Sequence, residues 1–270
     1  MLIDTHCHLH REEFDSDRRE VVDRAFGAGV EILVDPATDA ASNRKVIQMT
    51  RDYPHVYAAV GIHPHDAAQL SDGLLKELTF LSKSPKVVAI GEIGLDYYRN
   101  LSPREVQQEA LRKLLRLAGD ANLPVILHCR GEKAVVGGLT GSGDAAYRDL
   151  FRILQEERKP PIHELLHCFS GDHAVAKEGM EMGLTLSFAG NLTFAKAEAL
   201  RAVAGEVPSD RVVLETDAPF LAPQTYRGKR NEPVFLSELV KSWAQIRDVS
   251  VEEVAHSTTE NAQRLFRFPA

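Results

Sequence analysis

Short apolar or alternating runs take turns along this chain with longer stretches whose apolar positions fall at i, i+3 and i+4. The first spacing fits strands and the second amphipathic helices. Ile3–Leu9 predicts a first strand. Arg18–Ala28 predicts a first helix, with Val21, Val22, Ala25 and Phe26 on one face and Gly29 as its stop. A strand at Glu31–Val34, a helix over Ala40–Tyr53, a strand at Val56–Ile62 and a helix over Leu74–Leu81 follow. Val87–Ile90 reads as a short buried strand. Ser102-Pro103-Arg104-Glu105 predicts a capping box with proline at the first helical position, opening a long helix to Asn122. Further strands are expected at Pro124–His128, Glu164–His167, Leu184–Phe188 and Arg211–Glu215, each preceded by a helical segment. Ser250 and Glu253 form a second box, and the helix they open, from about residue 250, is expected to pack on the outside.

Strands that alternate with helices must pair in parallel, and eight such units close most naturally into a (β/α)8 TIM barrel, here one domain over residues 1–270. The competing doubly wound sheet usually carries a glycine-rich phosphate turn after its first strand, where this chain has Thr5–His10, THCHLH. Gly137–Gly143, GGLTGSG, predicts a flexible loop in the fifth βα unit. The composition, 44% hydrophobic and 26% charged, is that of a globular domain with a sizeable core, and no apolar run approaches a membrane span. The N-terminus has no charged n-region or h-region, so no secretory signal is expected. Three cysteines make no disulfide framework, so the expected home is a reducing cytoplasm. A net charge of -7 excludes a protein that coats nucleic acid by bulk charge, though not an enzyme that grips a phosphodiester locally.

On a barrel, chemistry sits at the C-terminal ends of the strands. His6 and His8 end strand one, His63 strand three, Glu92 strand four, His128 strand five, His167 strand six and Asp217 strand eight. An HxH pair on a strand sends both imidazoles to one side, and imidazole is the commonest protein ligand for a divalent metal. Seven such donors on one rim predict a metal centre. Cys7, Cys129 and Cys168 each neighbour one of these histidines. Period two turns them outward as small buried hydrophobes rather than thiolate ligands.

The set THCHLH, GIHP, GEIGLDYY, LPVILHCR, LLHCFSG, LETDAPFLAP and RGKRNEP, in this order, resembles the TatD family of metal-dependent deoxyribonucleases, among the amidohydrolase-like barrels, from Ile3 to the TTENAQRLF segment ending at Phe266. The resemblance implies DNA as substrate, cut by a metal-activated water and expected to be taken 3'-5' as an exonuclease. It implies His6, His8, Glu92, His128, His167 and Asp217 as metal ligands. Six donors exceed what one tetrahedral zinc uses, so two divalent cations (Mg, Mn or Zn) are expected. In this reading Glu92 bridges them, with His6, His8 and Asp217 on one ion and His128 and His167 on the other. Asp217 is also the expected general base, against a plain helix N-cap.

For substrate contact the candidates are His63, Asp96, Arg130, Arg227, Lys229 and Asn231. His63 either meets the phosphate or caps its own turn. Asp96 either orients a ligand histidine or is solvated. Arg227, Lys229 and the adjacent Arg230 form either a phosphate grip or a solvated charge run. GGLTGSGDAA departs from the family pattern on the active-site face. An amide or ester hydrolase acting on a small substrate or an aminoacyl-tRNA ester stays open beside the nuclease reading, although its common bridging lysine is replaced here by Glu92. No membrane and no obligate protein partner is expected.

Overall fold

The structure, a computed structural model, describes residues 1–132, 139–141, 143–157 and 163–269. Eight parallel strands run in sequence order: β1 (Leu2–Asp4), β2 (Val30–Pro36), β3 (Val56–Val60), β4 (Val87–Asp96), β5 (Val125–Arg130), β6 (Glu164–Leu166), β7 (Thr185–Phe188) and β8 (Val212–Leu214). Helices α1 (Arg18–Gly27), α2 (Ala40–Asp52), α3 (Asp72–Leu81), α4 (Arg104–Ala121), α5 (Ala145–Glu157), α6 (His173–Glu181) and α7 (Glu198–Glu206) fall between them. The chain ends in α8 (Leu236–Arg247) and α9 (Val251–Phe266). Past the last paired residues, the seam between β8 and β1 is closed by backbone bonds. Thr5 N–H donates to the Leu214 carbonyl (3.3 Å), Asp217 N–H to that of His6 (2.9 Å) and His8 N–H to that of Ala218 (2.7 Å). This is the expected (β/α)8 barrel in one domain.

Two cores follow from strand alternation. Leu33, Val60, Leu127, Cys129, Leu186 and Leu214 face the helices. Ile3, Val34, Ala59, Ile126, Leu165 and Val213 fill the lumen, where they meet Ala262, Leu265 and Phe266 of α9. The final helix therefore plugs the N-terminal end of the barrel instead of lying on its outside. Its apolar residues find a lumen that the other helices have no access to. Its capping box forms as predicted, with Ser250 and Glu253 exchanging bonds.

Three local expectations change. The first strand stops at Asp4, so His6 and His8 lie beyond it on backbone pinned by Cys7 N–H to the Val34 carbonyl (2.9 Å) and by the seam bonds. β4 runs six residues past Ile90 because GEIGLD, polar and glycine-rich as sequence, is paired to Leu127–Arg130 and buried throughout. The box at Ser102 does not form: Pro103 occupies the N-cap, and the Ser102 hydroxyl donates instead to the His65 carbonyl (2.8 Å). In the predicted glycine-rich loop, residues 137, 138 and 142 lie outside the described residues. Of the rest, Thr140 forms a bridge with Gly171.

Candidate metal centre

Glu92 stands at the middle of the mouth. The register of β4 against β5 slips between Ile90 and Ile93, and the bulge turns the carboxylate across the lumen. Glycines make this path possible: Gly94 has φ +144°, and a Cβ there would sit 1.9 Å from the His128 carbonyl oxygen. Glu92 is almost fully buried, and its two oxygens face different partners. Oε2 lies 3.5 Å from His6 Nε2 and 3.7 Å from His8 Nε2. Oε1 lies 2.9 Å from both His128 Nδ1 and His167 Nε2, and 3.4 Å from His63 Nε2.

Asp217 completes the first group, with Oδ1 at 3.5 Å from His8 Nε2 and 3.8 Å from His6 Nε2; those two nitrogens are 3.2 Å apart. In the second group His128 Nδ1 and His167 Nε2 are 3.4 Å apart. Ligand bonds of about 2.0–2.1 Å place tetrahedral neighbours about 3.4 Å apart, so both sets of donors have the spacing of atoms around a cation. Nitrogen and carboxylate oxygen are the chemistry that zinc and manganese accept. The residues present fit divalent metal.

The electrostatics agree with that role. Burial opposes ionisation of Glu92, yet the fields of His167 and His63 and bonds from His128 and His167 hold its carboxyl well below the usual range. Asp217 is likewise lowered against burial, by His8 first and then by His6. Burial works to lower His167, but the charges of Glu92 and Glu215 outweigh it and push the ring well up. His8 and His128 rise in the same way, through Asp217 with Glu92 and through Asp96 with Glu92. His6 falls, from burial and the neighbouring His167, and burial takes His63 down to about 4.

Behind the candidate ligand atoms lies a layer of groups that hold them in place. His8 Nδ1 faces the Pro36 carbonyl at 3.2 Å, and His167 Nδ1 faces Glu215 Oε1 at 3.1 Å. Asp96 accepts from His128 Nε2 (3.2 Å), His65 Nε2 (2.8 Å) and the Arg99 amide (2.8 Å). Asp4 accepts the His6 and Thr216 amides and the Thr216 hydroxyl, and burial pushes its carboxyl up to about 7. His10 donates to Asp35 at 2.6 Å. The sequence reading missed His65, Glu215, Asp4 and Asp35. Of these Glu215 and Asp4 carried a signal, since each stands two positions before a candidate ligand, Asp217 and His6, and period two turns both the same way.

The candidate substrate residues separate. Asp96 and Asn231 are buried and committed: Asp96 as above, Asn231 to the Thr216 and Phe220 carbonyls (2.8 and 2.6 Å). They shape the site, and neither is free to meet a substrate. Arg230 is held by Asp17 at 2.7 Å through each of two oxygens and by Glu232 at 2.9 Å, which removes it from the grip. Arg130 and Arg227 sit on the rim over aromatic rings, Tyr98 at 4.0 Å and Phe194 at 3.7 Å, and Lys229 is exposed on the same loop as Arg227. His63 does cap its turn, its Nδ1 accepting the His65 amide at 3.1 Å, which leaves Nε2 to carry the proton and face the site. Asp217 caps no helix; Phe220 N–H donates to its carbonyl in a turn. Cys7 and Cys129 are core residues, whereas Cys168 is only half-buried, with φ +47°.

A parallel barrel with imidazoles and carboxylates converging at the C-terminal mouth defines a metal-dependent hydrolase. A family model described as TatD related DNase matches residues 3–267, and the chain belongs to that family. It is 41% identical over 267 residues to the uncharacterized metal-dependent hydrolase YabD of Bacillus subtilis, covering 99% of each chain. It is 36% identical over 270 residues to the 3'-5' ssDNA/RNA exonuclease TatD of Cronobacter sakazakii, covering 98% of this chain and 97% of that one. The crystal structure of YjjV, a TatD homolog from Escherichia coli, superposes with a TM-score of 0.89 at 31% identity, over 99% of this chain and 98% of the other.

Proposed function

We propose that the mouth holds two divalent cations and hydrolyses phosphodiester bonds of DNA, removing nucleotides in the 3'-5' direction. The observation that carries this is the division of donors across the two oxygens of Glu92: His6, His8 and Asp217 on one side, His128 and His167 on the other. Cations bound there would acidify a water and offset charge growing on the phosphoryl oxygens. Asp217, held ionised and close to His8, is the base that takes the proton from the attacking water. His63 offers Nε2–H to a phosphoryl oxygen, because its Nδ1 is engaged by the His65 amide.

Arg130, Arg227 and Lys229 receive the flanking phosphates, and the Tyr98 and Phe194 rings beneath the two arginines support their guanidinium groups. Binding of this kind is local and weakens with salt, which suits a chain of net charge -7. Among the described residues no helix is long and apolar enough to cross a membrane. All three cysteines are free thiols, which suits a reducing compartment such as the cytoplasm.

The test is a nuclease assay on metal-stripped protein, with Mg, Mn, Zn and Co restored separately and Asp217→Ala as control. Shortening of single-stranded DNA from its 3' end, restored by metal and absent from the variant, is expected. Turnover of small esters or amides with DNA left intact would replace the nuclease reading with its rival.

A further inference from the structure

Beneath the two groups of metal-facing atoms lies one carboxylate that reaches toward both. Glu215 is fully buried. Its Oε1 accepts His167 Nδ1–H at 3.1 Å and the Cys168 amide at 2.8 Å. Its Oε2 has no partner. Neither has His6 Nδ1, and these are two of only four such buried side-chain atoms among the described residues. They share a small volume: the His6 and His167 rings stack with centroids 3.9 Å apart and planes 10° from parallel, and one donor atom from each of His6, His167 and Glu215 lies within 4.8 Å of the others.

The chemistry of the two unpartnered atoms is complementary. His6 turns Nε2 to Glu92, Asp217 and His8, so a neutral ring that gives this nitrogen to a cation carries its proton on Nδ1. An ionised carboxylate oxygen only accepts. Buried donors and acceptors left without partners are costly, and each of these lacks what the other supplies. A third ion among His6, His167 and Glu215 fits worse, because both rings already present Nε2 to Glu92.

We propose that Glu215 is a positioning residue shared by both metal subsites: with the ions bound, Oε2 accepts a hydrogen bond from His6 Nδ1–H while Oε1 keeps the one from His167 Nδ1–H. Asp96 is the contrasting case. Its ring partners are His128 and His65, so of the ligands it orients only one, in the second group. Glu215 couples the groups; Asp96 does not. The inference rests on the two-ion reading.

Calorimetric titration of Zn2+ into metal-stripped wild type, Glu215→Gln and Asp96→Asn separates these roles. The glutamine amide accepts from one ring at most and carries no charge. Loss of an orienting partner costs roughly 10–100-fold in metal affinity, so Glu215→Gln weakens both ions by about tenfold or more and Asp96→Asn weakens one. A Glu215→Gln protein that weakens one ion, or neither, overturns the proposal. A wild type that takes up a single ion overturns the two-ion reading and the proposal with it. Should Glu215→Gln fail to fold, 15N-histidine NMR of zinc-loaded wild type decides. His6 and His167 both protonated at Nδ1, with protons protected from exchange, is the expected result, and a His6 without a proton at Nδ1 refutes it.

Discussion

The two ends of this barrel are built from the same strands and obey opposite rules. Ile126, Leu165 and Val213 fill the N-terminal end, where α9 seals them with Ala262, Leu265 and Phe266. Two residues further along, His128, His167 and Glu215 line the other end. At the first end only volume and contact matter, and neighbouring apolar groups can substitute for one another at modest cost. At the second every buried atom needs a partner of the right kind, and the six candidate ligands with Asp4, Asp96 and Glu215 make one connected polar network. A parallel barrel thus separates stability from chemistry by a displacement of two residues along the chain.

Replacement of Glu92 by Ala strikes the chemical end hardest. Both donor groups lose their common carboxylate, so activity falls on the order of 10³-fold or more while the barrel stays folded. Turnover, metal content and a far-ultraviolet spectrum check this, and activity within tenfold of wild type would remove Glu92 from its central role. Phe266→Ala is the converse. It opens a cavity at the sealed end and costs about 3–5 kcal/mol of stability. The urea midpoint drops while turnover well below the transition is unchanged; an equal loss of turnover would mean that the ends are not independent.

The mouth has a pH response of its own. In the metal-free protein His8, His128 and His167 have raised pKa values, chiefly through Asp217, Asp96, Glu92 and Glu215 acting against burial. A cation needs each ring unprotonated, so protons leave as metal binds. Apparent affinity therefore increases with pH until the raised values are passed, and it declines as pH drops from neutrality. Calorimetry in buffers of differing ionisation enthalpy measures the protons released, and a pH-independent affinity contradicts the assignment.

The smallest effects lie on the rim. Arg227→Gln with Lys229→Gln raises KM for DNA about tenfold and flattens its salt dependence, with kcat little changed. Arg230→Gln leaves KM alone and costs about 1 kcal/mol through its partly exposed pair with Asp17. Steady-state kinetics at two salt concentrations distinguish the arginines, and equal KM effects would erase the distinction.

Much of the metal-centre reading came from local rules. Period two predicts that Cys129 turns outward where His128 turns inward, and a proline-free apolar run such as Val125–Leu127 declares a buried strand by itself. The same rules misjudged GEIGLD, because glycine and acid mark loops unless a neighbouring strand buries them. They also left Asp96 and Asn231 open as substrate contacts, since a polar residue's exposure depends on what the fold lays over it.

The sequence alone determined the order of the strands, the residues able to bind metal and the strand end on which each falls, since alternation and capping are properties of a few adjacent residues. Only the tertiary structure decided that the first strand stops at Asp4 and leaves His6 and His8 on backbone held by the seam bonds, that a bulge in β4 aims Glu92, and that the last helix enters the lumen. Those outcomes depend on register and closure summed around eight strands, and no short window of sequence contains that sum.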